Sequence, residues 1–137
     1  MVLSGHKLGW KRGMVWGLCG YVALYLAPAF GLYPELPGMA AADLTARQGW
    51  WLITAMATAG GLGCLFFSSR PTWKVIAVML LLAPHLIGAP HPVIKPSAVP
   101  AELAAQFAVA TLVITAMFWL FLGAMSGYFL DRFKETG

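Results

Sequence analysis

The side chains of this sequence able to do chemistry are few, and they fall near the ends of its apolar stretches. His85 and His91 stand in Pro84-His85-Leu86-Ile87-Gly88-Ala89-Pro90-His91-Pro92, and Glu35 and Asp43 stand in the polar segment before the second apolar stretch. Imidazole nitrogens and carboxylate oxygens together suit Co²⁺, Ni²⁺ or Zn²⁺, which makes these four residues the candidate metal ligands. Each has a plainer use as well. Asp43 and Arg47, four apart, suit a helix-surface ion pair, and Glu35 suits the capping of a turn. His85 suits backbone carbonyls released where Pro84 interrupts a helix. The two thiols, Cys19 and Cys64, lie at similar depth if their helices run antiparallel and are then close enough to meet, although buried cysteine ordinarily serves as a small packing residue. No HExxH, GxSxG or P-loop string occurs, and the apolar interiors hold no acid–base pair, so no enzyme is expected. His85 stands alone within the apolar stretches, which leaves no second embedded imidazole for a haem.

The elements that position these residues follow from composition. Of 137 residues, 60% are hydrophobic and 10% charged, against roughly 25% charged in an ordinary soluble domain. A soluble globule of this size has too much surface to hide that apolar content. Four apolar stretches, 13–32, 48–68, 73–89 and 103–129, extend about 30, 31, 26 and 40 Å as helices, against a hydrocarbon core of about 30 Å. The sequence therefore predicts an all-α, polytopic membrane protein. Its expected architecture is a four-transmembrane-helix bundle forming one integral membrane domain over 1–137. The fourth stretch is long enough to require tilt or an interfacial turn.

The connections carry their own signals. Pro34 and Pro37 with Gly38 stop the first helix, Ser68-Ser69-Arg70-Pro71 makes a tight reversal, and Pro90, Pro92, Pro96 and Pro100 favour extended geometry. Pro100-Ala101-Glu102 then opens the last helix. The basic start, the run from Met14 to Leu26 and Ala27-Pro28-Ala29 imitate a signal peptide, but the run continues to Leu32 and Pro28 suits a cleavage site poorly. A retained first span is expected. Of nine Lys and Arg, Lys7, Lys11, Arg12, Arg70, Lys74, Arg132 and Lys134 fall on one side of this topology and only Arg47 and Lys95 on the other, so both termini are expected in the cytoplasm. The net charge of +4 is scattered without a basic cluster, which argues against nucleic acid and leaves the lipid bilayer as the expected partner. Gly13, Gly17 and Gly20, Gly60, Gly61 and Gly63, and Gly123 with Gly127 provide smooth strips for close helix contact.

Several strings resemble the predicted cobalt transporter subunit family CbtA, matching its carboxyl-terminal four-helix part. They are Trp16-Gly17-Leu18-Cys19-Gly20 with Ala27-Pro28, then Gly31-Leu32-Tyr33-Pro34-Glu35-Leu36-Pro37-Gly38, Arg47-Gln48-Gly49-Trp50-Trp51, Pro84-His85-Leu86-Ile87-Gly88-Ala89-Pro90, Pro100-Ala101-Glu102-Leu103 and Phe118-Trp119. Family members are usually longer, with a further amino-terminal span and an acidic or histidine-bearing segment. The resemblance implies a bacterial inner-membrane protein with a role in cobalt uptake, often paired with a small single-span, histidine-containing subunit, CbtB. Two functions are expected on this basis. One is a metal-transport subunit in which His85, His91, Glu35 and Asp43 receive Co²⁺ or Ni²⁺ on the outer side. The other is a non-catalytic accessory subunit that shapes a larger membrane complex.

Overall fold

The computed structural model describes residues 9–92 and 99–135, the side chains of the last two excepted. His6, Lys7, Lys95 and Pro96, together with the Lys134 side chain, lie outside the described residues. Every regular element among those described is helical. The chain runs through α1 (Gly9–Tyr21), a π-helical segment (Val22–Leu26), a short α2 (Ala27–Ala29), α3 (Leu44–Phe67), α4 (Pro71–Ile87) and α5 (Ala101–Glu135). Among the described residues two helices are long and apolar enough to cross a membrane, Leu44–Phe67 and Ala101–Phe133; Pro71–Ile87 is a shorter apolar helix.

The first apolar stretch forms a helical run over 9–29 with a change of winding inside it. Pro28 lacks the N–H that would serve the Leu24 carbonyl in an α-helix, and the Ala27 N–H reaches back five residues to Val22. The carbonyl that Pro28 orphans is taken by the indole of Trp51 in α3, whose Nε1 donates to Leu24 O at 3.1 Å. A sequence-imposed defect thus becomes a bond between two helices.

α3 starts at Asp43, whose Oδ2 accepts from the Ala46 N–H at 3.0 Å. α4 starts with Pro71, which needs no hydrogen-bond partner there. Contrary to the expected interruption, α4 continues through Pro84 to Ile87 and ends at Gly88, which supplies a φ of 87°. Pro84 sits in the last turn, so the helix forfeits one carbonyl partner without breaking.

Small residues set the packing. α1 and α5 cross antiparallel with their glycines face to face: a methyl on Gly13 would strike the Gly123 carbonyl, and one on Gly127 would lie 2.7 Å from the Gly9 carbonyl. The Gly123–Gly127 strip therefore faces α1 of the same chain. Asp131 of α5 holds the start of α1, its Oδ2 accepting from Gly9 N at 2.6 Å, and Tyr21 Oη donates to the Leu112 carbonyl at 3.0 Å. α3 and α4 form a hairpin in which Gly61 admits the Ala77 backbone and Leu81.

Among the described residues α1 packs on α5, the first helical run packs on α3, and α3 packs on α4, while the α5 backbone makes no such close approach to α3 or α4. The described helices thus stand as an open row, each packed on its neighbour. Its buried residues are mostly small, Ala23, Ala27, Ala55, Ala77 and Ala89 with Tyr21 and Trp50, whereas Phe30, Met56, Leu86, Met117 and Phe121 point outward. That inversion is the packing expected where hydrocarbon covers the outward faces.

Candidate functional site

The candidate residues gather toward the end of the molecule where the first helical run stops, α3 starts and α4 stops. Glu35 lies in the segment after α2, Asp43 caps α3, and His85 is in the last turn of α4. His91, exposed, follows three residues after Gly88. The structure gives the first three different partners.

Glu35 meets Arg47, with 2.9 Å between Oε2 and the guanidinium, and both side chains are mostly shielded, at 18% and 28% exposure. The spacing of Asp43 and Arg47, four apart, suits a pair between them, but Arg47 takes Glu35. Instead the Asp43 carboxylate bends to its own helix and accepts from Ala46 N, which also places negative charge at the positive end of the helix dipole. Glu35 consequently serves as the counter-ion of Arg47 rather than as a turn cap.

His85 stands between two aromatic rings. The Phe30 and Trp50 ring centroids lie 6.2 and 6.0 Å away, both near perpendicular to the imidazole. These edge-to-face contacts hold the ring without closing a donor set around it. The carbonyls that His85 was expected to serve are not freed by a break, because α4 runs on to Ile87. Among the described residues no group of three or more His, Cys, Asp and Glu side chains comes together.

Beside the ion pair opens a cleft of about 330 Å³ between the first helical run, α3 and α5, walled by Tyr25, Tyr33, Glu35, Arg47, Trp51 and Leu112 among others. His85 is not on its wall. The site is thus two neighbouring features, an ion pair edging a largely apolar cleft and an imidazole held by rings. The thiols do not join it: Cys19 and Cys64 are both free, and Cys19 lies in a separate groove with Ala59, Gly63 and Phe66 to which Cys64 does not contribute.

Reading the sequence missed the Glu35–Arg47 pair and the Trp51 bond to Leu24. The first had one available signal, Arg47 as the only cation of its connection; the second was signalled by Pro28 inside an apolar helix.

The family model described as "Probable cobalt transporter subunit (CbtA)" matches residues 1–131. No curated protein and no solved structure matches the chain.

Proposed function

Because the chain belongs to the CbtA family of probable cobalt transporter subunits, we propose that it is an integral membrane subunit of a divalent-cation uptake system, with cobalt as cargo. The match across nearly the whole chain carries this reading. The inverted packing and the long apolar helices support its placement in a bilayer. Membership of the family supports a bacterial inner membrane, and the distribution of Lys and Arg supports both termini in the cytoplasm, an orientation in which Glu35, Asp43, His85 and His91 lie on the outer side.

In this reading His85 is the principal donor, since an imidazole at the membrane end of a helix is an ionisable group retained in an apolar setting. His91, Glu35 and Asp43 lie toward the same end, Asp43 with Oδ1 free of the capping bond to Ala46. The chain supplies fewer than three gathered donors among its described residues, so a partner completes the coordination. A small, histidine-containing, single-span subunit of the CbtB kind fits that need.

Accumulation of radiolabelled cobalt by cells carrying the intact complex tests the proposal. His85→Ala is expected to abolish accumulation at unchanged yield, and His91→Ala to reduce it less. If His85→Ala instead lowers yield and the wild type accumulates no cobalt, the histidine is a packing residue and the chain an accessory subunit.

A further inference from the structure

Four buried side-chain polar atoms have no hydrogen-bond partner among the described residues: Arg47 Nε, Trp50 Nε1, Thr54 Oγ1 and Thr58 Oγ1. All four belong to α3. At about 100° per residue these positions fall within an arc of about 80°, and they rise roughly 16 Å along the helix. Thr54 is 0% exposed and Thr58 1%. Arg47 is on the wall of the cleft, and Trp50, Thr54 and Thr58 continue the same side of α3 beyond it, on a helix whose Ala55 and Gly61 are buried too.

The chemistry of the four atoms narrows what can satisfy them. The arginine and indole N–H groups only donate, whereas the two hydroxyls both donate and accept. A bare cation would suit the hydroxyl oxygens and repel the N–H groups. Water matches all four, and a small polar pocket offering several partners is where buried water is retained. Leaving such groups unsatisfied in an apolar setting is unfavourable. We propose that this face of α3 carries an internal file of water that enters beside Arg47 and reaches Thr58. Resting on the uptake reading, the file brings water to Trp50, whose ring stands against His85, the proposed donor. The competing arrangement is dry, with each threonine hydroxyl turned back onto the carbonyl four residues earlier.

Cysteine accessibility in native membranes separates the two. In a Cys19→Ser, Cys64→Ser background, Thr54→Cys and Thr58→Cys are treated with 2-aminoethyl methanethiosulfonate, with Met56→Cys as control because Met56 is on the apolar surface at 67% exposure. A thiolate forms only where water solvates it, so Cys at 54 and 58 is expected to react about tenfold faster than Cys at 56. Equal or slower reaction overturns the file. Should the cysteine variants fail to fold, X-ray hydroxyl-radical footprinting of the unmodified protein decides: oxidation of Trp50 supports the file, and its absence overturns it. Cobalt accumulation by the wild type is measured in parallel. Labelling without accumulation removes the uptake reading and leaves the file, while accumulation without labelling does the reverse.

Discussion

Arg47 pairs with Glu35 because the alternative carboxylate is already engaged. Asp43 caps α3 through Ala46 N, its carboxylate bent to its own helix start, and Glu35 is the carboxylate that meets the guanidinium. Two outcomes follow at this scale. Asp43→Ala should cost about 1 kcal/mol of stability, with Asp43→Asn restoring most of it, in thermal unfolding of the solubilised protein. Glu35→Gln should destabilise by about 1 kcal/mol, because it leaves a shielded guanidinium without its counter-ion. Adding Arg47→Met to Glu35→Gln should recover that loss; a double variant as unstable as the single would show that the charge balance is not what matters there.

At the scale of elements, the α1–α5 crossing depends on glycines that let backbone meet backbone. Gly123→Leu is expected to cost about 3 kcal/mol, since the added side chain meets the Gly13 carbonyl directly rather than a movable side chain. Gly63→Leu, where nothing lies within 4 Å of an added methyl, should leave the yield of folded protein unchanged. Equal losses in the two variants would contradict the crossing. The helices themselves were legible in the sequence, because apolar runs bounded by Pro34, Pro71, Gly88 and Pro100 admit little else. Their neighbours were not. A helix apolar on nearly every face has little periodicity to say which side meets protein and which meets lipid, so the glycine strips suggested close contact without naming the partner. The same limit applies to the site: residue types proposed a ligand set, but the competition of Ala46, Arg47 and two aromatic rings for those side chains is a property of the folded chain.

For the whole molecule, the open row matters most. α5 packs on α1 along one side, only 6% of its most apolar window is buried, and α4 stands at the other end of the row. A protein with small residues inside and large ones outside is stable only where hydrocarbon or other helices cover those faces. Among the described residues no three donors gather, and the proposed function assigns the rest of the coordination to a partner. Isolation of the chain with its native partner in lipid, followed by metal analysis after loading with cobalt, tests that account most directly. The expected result is cobalt bound by the complex, absent from the chain alone and lost from the complex on His85→Ala. A stable complex that carries no cobalt, or one whose cobalt is indifferent to His85→Ala, would contradict it.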